Sequence, residues 1–313
     1  MSSPWLDERS RVVVTGGAGF IGSALCRRLL AHGVEVVIYE SLVGGQRVDE
    51  SAAQLRAAGA ELVRGDIRDS ERLADVLRQG DGLVHLAAMT SVPVSIAMPE
   101  ICHSINVEGT RCVLAAAERA KVGRVVFAST AAVYGPEPKL PSTEGDDPAP
   151  TSPYGVSKLQ GEIDVARSSV ETVSLRLFNV YGKGQDPDSS YSGVITRWVS
   201  ALRRGAELDL YGDGTQTRDF IHVADVAAAL CAALEMIPED RLPINVGSGE
   251  AVSLAHLLEI LGEVLGVEPV VHRLPVRPGD VQHSRADIRR AQRLLDFSPR
   301  VELRAGLRSL IEL

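Results

Sequence analysis

RVVVTGGAGFIG, residues 11–22, is the stretch that decides the fold. A run of strand-forming residues enters Gly16, Gly17 and Gly19, and an apolar segment containing Gly22 follows. Glycine inside a helix costs about 1 kcal/mol against alanine, so a strand–helix join this rich in glycine needs bare backbone. Helix N-termini present free N–H groups and the positive end of the dipole, and they bind phosphate. Glycines at 16, 19 and 22 permit a tight turn, close approach of a pyrophosphate, and close helix–strand packing. A plain tight turn would use the same residues, so the flanking sequence has to choose between the two readings.

Glu40 ends the next predicted strand, 18 residues after Gly22. An acid at that distance suits the hydroxyls of an adenosine ribose and repels a 2′-phosphate, which points to NAD rather than NADP. Asp66, in GDIRD (65–69), ends the third strand, where an adenine edge can lie. A cap for a helix over 69–79 is its alternative role.

Apolar runs alternate with helical segments through the first half. Strands are predicted at 12–15, 35–39, 61–64, 82–87, 124–129 and 172–178, with helices near 20–31, 70–79, 100–120 and from Pro153 onward. Short apolar strands in that rhythm indicate an α/β fold with a doubly wound parallel sheet covered on both faces. After Asn179 the texture changes to loops and short elements: helices 194–204, 223–235, 253–265, 287–295 and 303–312, and strands 207–211 and 244–247. We expect a cofactor domain over 1–178, joined by part of 218–240, and a smaller C-terminal α/β substrate lobe over 179–313. The Pro-rich and acidic stretch 136–153 reads as a surface loop.

The totals exclude several classes. The chain has 313 residues, 45% hydrophobic and 24% charged, as in an ordinary globular protein. Net charge is −8 and no basic block is present, which argues against nucleic acid as a partner. No apolar run reaches the roughly 20 residues that span a bilayer, and the first residues lack a signal-peptide pattern, so a cytoplasmic protein is expected. Cys26, Cys102, Cys112 and Cys231 are scattered, and they read as free thiols. The seven histidines show no metal spacing, so no metal is expected and His85 and His222 are assigned structural roles.

YGVSK places Tyr154 and Lys158 at i and i+4, on one helix face. A cation beside a phenol favours the phenolate and lowers its pKa from about 10, so the tyrosine can serve as a general base. Upstream, in FASTAAVYG (127–135), Ser129 and Thr130 end a predicted sheet strand, where ligands bind in open α/β sheets. A hydroxyl there can share the proton.

Together the glycine turn, HLAA (85–88), Tyr154 with Lys158, and RLFNVYG (176–182) resemble the extended short-chain dehydrogenase/reductase family. The likeness covers about 11–310 and is greatest to nucleotide-sugar epimerases of the UDP-glucose 4-epimerase type. It implies a Rossmann-type sheet with tightly held NAD. It also implies a cycle in which Tyr154 takes the proton of the sugar 4-hydroxyl while NAD takes the C4 hydride. The 4-keto sugar then turns over and recovers the hydride on its other face. By match to the motifs, Thr130 assists proton transfer, and Lys158 polarises Tyr154 and holds the nicotinamide ribose. Phe20 and Ile21 lie in the phosphate turn, Ile67 beside Asp66, and Leu86, Ala87, Ala88, Asn106 and Phe178 line the cofactor. For the nucleotide sugar the resemblance implies Asn179 and Arg218, then Arg277 and Asp280 in VRPGD (276–280). Ser91, Val194, Trp198, Tyr211 and Ser284 complete the candidates, with core packing the alternative for Trp198 and Tyr211. A homodimer built on helices 99–120 and 153–168 is also implied.

Two departures narrow the reaction. Related 4,6-dehydratases carry Asp-Glu after the threonine, where this chain has Ala131 and Ala132. UDP-glucose epimerases carry a bulky tyrosine where this chain has Ser284, so room for a 2-acetamido group is expected. A uronic acid substrate would need a polar nest, to which Thr90, Ser91 and Ser95 can contribute. A dehydratase, reductase or decarboxylase of the same family, and a non-catalytic NAD-binding protein, are the other classes.

Overall fold

The computed structural model describes residues 10–43, 45–186, 193–236, 240–276 and 280–311. In chain order the first part runs β1 (Arg11–Thr15), α1 (Phe20–Ala31), β2 (Glu35–Glu40), α2 (Gln46–Ala57), β3 (Glu61–Arg64), α3 (Ser70–Val76) and β4 (Gly82–His85). Two short helices follow, α4 (Val92–Ala97) and α5 (Pro99–His103), and then a π-helical stretch (Ser104–Glu108) that runs into α6 (Gly109–Ala120). β5 (Arg124–Thr130), a 3₁₀ turn (Ala131–Tyr134), α7 (Pro153–Arg167) and β6 (Thr172–Leu177) complete this part. The rest contributes β7 (Asn179–Tyr181), α8 (Val194–Arg203), β8 (Leu208–Tyr211), β9 (Thr217–Arg218), β10 (Phe220–His222) and α9 (Val223–Glu235). Last come β11 (Ile244–Val246), β12 (Val252–Ser253), α10 (Leu254–Leu265), β13 (Val271–Leu274), α11 (Arg289–Leu295) and α12 (Leu303–Ser309).

Seven parallel strands form the main sheet in the order β11-β6-β5-β4-β1-β2-β3. Successive strand residues point to opposite faces, and both faces are buried. Val12, Val14, Ile38, Val84 and Val126 pack with Leu25 and Leu29 of α1 and Val226 and Leu230 of α9. Val13, Val37, Leu83, Val125 and Phe127 pack with Leu73 of α3, Val113 and Ala117 of α6, and Val165 of α7. A separate core joins α8, β8, α10 and α12 through Trp198, Leu208, Leu257 and Leu307.

Several details differ from the sequence expectation. The strand at 244–246, placed by its position in the chain with the smaller lobe, is an outer strand of the main sheet, and α11 packs beneath it through Ala291 and Leu295. Local composition carries no information on which lobe a late strand joins. α2 was not expected, because only Ala52 and Leu55 are fully buried and its apolar stripe is thin. The single helix expected over 100–120 is interrupted by the π-helical stretch, which turns Asn106 inward. Asp69 caps α3, accepting from the Arg72 N–H at 3.0 Å, so Asp66 is not the cap.

His85 ties the sheet to α6. Thr110 donates to the Asn106 carbonyl at 2.6 Å, so its oxygen accepts from His85 Nε2 at 3.0 Å, and His85 Nδ1 accepts from Thr15 at 2.8 Å. This chain fixes a neutral imidazole. Burial, helped by the charge of Lys158, pushes its pKa from 6.5 down to about 3. The unfolded chain therefore binds a proton that the folded one refuses. Stability from this group is complete above about 6.5 and is lost as pH falls toward about 3. Urea unfolding near pH 7 and near pH 5 should show a smaller loss on acidification in His85→Asn than in the wild type. An equal loss would assign the acid sensitivity to other groups.

Candidate active site

The β1–α1 turn is shaped by contacts that exclude side chains. Gly16 has φ +69, and a Cβ there would lie 2.7 Å from the backbone nitrogen of Ala87. A Cβ on Gly22 would strike the Gly16 carbonyl and lie 2.7 Å from Gly17 Cα. Gly19 is different: its φ of −69 and ψ of 179 suit any residue. A Cβ there would meet only the Gly16 carbonyl, at 3.2 Å. Glycine at 19 therefore leaves room above the helix end. No side chain caps α1, whereas Asp69, Ser91, Ser152 and Ser253 cap α3, α4, α7 and α10. The first N–H groups of α1, at Phe20 and Ile21, are thus left for an anionic ligand.

The other cofactor candidates lie along the same edge. Glu40 ends β2, and its Oε1 accepts from the Ser41 N–H at 2.9 Å and the Leu42 N–H at 3.4 Å, which fixes the carboxylate at the strand end. Asp66 is clamped by Arg68, with Nη2 at 2.6 Å and Nε at 3.0 Å, and these bonds hold its carboxyl below the usual range. Ile67 is buried against Gly109. Leu86, Ala87 and Ala88 follow β4 and lie across from the glycine turn, with the Leu86 N–H on the Thr15 carbonyl at 3.1 Å. Asn106 binds Met89 from both sides, accepting from its N–H at 2.8 Å and donating to its carbonyl at 2.9 Å, and it also donates to Ser157 at 2.9 Å. Its amide therefore shapes the loop after β4. Phe178 is buried against the Tyr134 ring, with centroids 6.3 Å apart.

Tyr154 and Lys158 stand on one face of α7, and the Tyr154 phenol lies beside Thr130. Burial pushes the phenol up to about 12, against the opposing effect of the Thr130 side chain. Burial brings Lys158 down to about 8. Its Nζ donates to the Ala128 carbonyl at 2.8 Å and lies 4.7 Å from the centre of the Phe127 ring. The expected cation beside the phenol is thus replaced by a lysine turned to the sheet. The i, i+4 spacing fixes the face but not the reach of a long side chain. Ser129 is not at the edge either. It shares the Phe127 face, under α7, and donates to Glu162. Two of the three hydroxyls proposed as a nest are engaged: Ser91 caps α4, and Ser95 accepts from the Tyr154 N–H at 3.2 Å and donates to the Val92 carbonyl at 2.7 Å, while Thr90 is exposed.

Toward the smaller lobe, Arg218 pairs with Asp280 at 2.9 Å. Ser284 is buried and pairs through its N–H with the Thr217 carbonyl at 3.2 Å. Asn179 is exposed, next to this pair in the chain's fold, with its N–H on the Asp219 carbonyl at 3.0 Å. Val194 begins α8 and Tyr211 ends β8, both half-buried. Trp198 is a core residue, packed with Leu208 and Leu257 and donating to the Asp209 carbonyl at 3.3 Å. Arg277 lies outside the described residues. Asp219 was missed by sequence reasoning. Fully buried, it accepts from the N–H groups of Ser248, Gly249 and Ala286 at 2.6, 3.0 and 3.0 Å, binding two distant segments beside Arg218. The adjacent opposite charges in TRDF, between two strands, were the available signal. Among the described residues, no three His, Cys, Asp or Glu side chains gather as a metal site.

These parts fit a dinucleotide with its diphosphate on α1 and its ribose on Glu40. Gly19→Leu puts a Cβ 3.2 Å from the Gly16 carbonyl and a poor cap at the start of α1, so the melting temperature should fall modestly. The substitution should weaken NAD binding by about tenfold or more, or ~1.4 kcal/mol, in equilibrium dialysis. Undiminished binding would remove the diphosphate from this helix end.

Residues 12–247 match the NAD dependent epimerase/dehydratase family. The chain is 33% identical over 306 residues to a putative UDP-glucose 4-epimerase of Methanocaldococcus jannaschii, covering 96% of this chain and 97% of that protein. It is similar, at TM-score 0.90 and 34% identity, to a UDP-N-acetylglucosamine 4-epimerase of Methanobrevibacter ruminantium in complex with UDP-N-acetylmuramic acid, over 96% and 97% of the two chains. A mutant UDP-glucuronic acid 4-epimerase of Bacillus cereus, in complex with UDP-4-deoxy-4-fluoro-glucuronic acid and NAD, gives TM-score 0.88 at 32% identity, with 96% and 97% covered. This chain belongs to the NAD-dependent epimerase/dehydratase family, the extended short-chain dehydrogenase/reductases.

Proposed function

We propose that the protein is an NAD-dependent 4-epimerase of a UDP-hexose or UDP-N-acetylhexosamine, working through a transient 4-keto sugar. The observation that carries this reading is the buried Tyr154 phenol beside Thr130 at the carboxyl end of the sheet, followed at once by Ala131 and Ala132. Tyr154 takes the proton from the 4-hydroxyl and returns it, and Thr130 keeps the phenol oriented toward that proton. NAD, when bound, supplies the hydride acceptor and a positive charge that favours the phenolate. The alanines offer no acid to protonate a departing 6-hydroxyl, which supports epimerisation over dehydration.

Residues at the start of the chain through β6, together with α9, would carry the cofactor, and Arg218, Asp280 and Asn179 would take the nucleotide diphosphate and ribose. Arg277 is assigned to the diphosphate with them. Small Ser284 supports a pocket that admits a 2-acetamido group. The engagement of Ser91 and Ser95 supports a neutral sugar over a uronic acid. Exposed Ile96, Ile101, Val156 and Ile163 on α4, α5 and α7, with Met98 between α4 and α5, support a homodimer through these helices. A light-scattering mass of one 33.4 kDa chain would remove that assignment. A cytoplasmic location accords with the absence, among the described residues, of any helix long and apolar enough to cross a membrane.

Purified protein without added NAD, given UDP-glucose, UDP-N-acetylglucosamine and UDP-glucuronic acid in turn, should convert the two neutral sugars to isomers of unchanged mass with inverted C4 by proton NMR, and turn over UDP-glucuronic acid least. Loss of water or of carbon dioxide would overturn the reading. In the same assay Ser284→Tyr should cut acetamido-sugar turnover by about tenfold or more relative to hexose turnover, the effect of closing a pocket on a bulky group. Equal losses on both sugars would free Ser284 of that role.

A further inference from the structure

Tyr154, Lys158 and Glu162 stand one turn apart on a single face of α7, since residues four apart overlie each other in a helix. The three engage three consecutive residues at the end of β5. Tyr154 lies beside Thr130, Lys158 donates to the Ala128 carbonyl at 2.8 Å, and Glu162 accepts from the Ser129 hydroxyl. The third contact is locked from the next strand. Arg176 of β6 donates through Nε to Glu162 Oε1 at 2.9 Å and through Nη2 to Oε2 at 2.8 Å. Ser129 and Arg176 are partners in the β5–β6 register. Arg176 Cζ lies 4.8 Å from the centre of the Tyr134 ring, and the Tyr134 hydroxyl donates to Asn245 of β11 at 2.6 Å. Glu162 and Arg176 are 8% and 3% exposed. A buried ion pair adds little net stability over well-packed apolar residues, so packing alone does not require one here.

The surroundings of Lys158 give the charge a use. Facing it are Tyr154 and Glu162 from its own helix, Cys102 from α5, His85 from β4, and the Phe127 ring and Ala128 carbonyl from β5. His85 is held neutral, and Tyr154 keeps its proton. Glu162 supplies the carboxylate in this set, with Arg176 behind it on β6.

We propose that Glu162, gripped by Arg176 and Ser129, is a positioning residue that fixes α7 against the end of β5 and keeps Lys158 protonated. Burial draws the Lys158 pKa down, and Cys102 and then the Glu162 charge oppose it. The catalytic consequence rests on the epimerase reading, whereas the charge coupling itself does not.

The chain has four lysines, and Lys121, Lys139 and Lys183 are exposed. Lys158 can therefore be followed by NMR titration of protein labelled at the lysine ε-carbon. In Glu162→Gln, which keeps an acceptor for Ser129, the Lys158 midpoint should fall by about one pH unit. The alkaline limb of kcat should fall with it. Glu162→Asp keeps the charge but shortens the arm. It should leave the midpoint in place while kcat drops and KM holds, and a midpoint shift as large as that of the Gln variant would overturn the charge role. Because Glu162→Gln strands Arg176, the paired Glu162→Gln, Arg176→Met variant is measured beside it, and a fall of the midpoint is expected there too. An unmoved midpoint in both would overturn the proposal. A shifted midpoint in a protein that epimerises no UDP-sugar would uphold the coupling and count against the epimerase reading instead.

Discussion

The candidate catalytic centre depends on how closely one helix can lie on one strand. Gly161, between Lys158 and Glu162, allows it. A Cβ there would sit 2.6 Å from Phe127 Cζ. With that space open, α7 settles onto β5, and side chains a turn apart reach Ala128, Ser129 and Thr130. Tyr154 is thereby held at the carboxyl edge of a parallel sheet, where strand ends and helix starts converge on ligands. A side chain at 161 would lift the helix and take the phenol away from Thr130.

The cofactor half rests on a similar constraint. Gly16 lets the first turn touch the backbone after β4, which brings the uncapped end of α1 and the Leu86–Ala88 segment to one cleft. Asn106 completes this arrangement indirectly, by holding Met89, and the π-helical stretch is what turns it inward. Such interruptions recur at functional sites. Here the interruption joins the loop after β4 to Ser157 on α7 through one buried polar contact.

Much of this was legible in the sequence, for a physical reason. Strands buried on both faces must be apolar runs, so β1, β2, β4, β5 and β6 announce themselves. The glycine turn and the Tyr154/Lys158 spacing are equally local. What could not be read depends on distance in the chain. Strand 244–246 pairs with β6 because of topology, which its three residues do not encode. Arg218 and Asp280 are 62 residues apart, and their pairing appears only in three dimensions. Trp198 and Asp219 are decided in the same way: the ring takes the core-packing alternative, and the unremarked acid organises the loops. Lys158 shows a finer limit, since helical spacing names its face but a flexible arm chooses its own acceptor. Continuing the four-residue step from Lys158 would have reached Glu162.

The central claim is that the hydride leaves C4 and returns to the same sugar without meeting solvent. UDP-N-acetylglucosamine and UDP-glucose deuterated at C4 test it directly, with unlabelled sugar present and the products read by NMR and mass spectrometry. The account predicts that each epimerised molecule keeps its own deuterium at C4. Label lost to water, or passed to the unlabelled sugar, would contradict it.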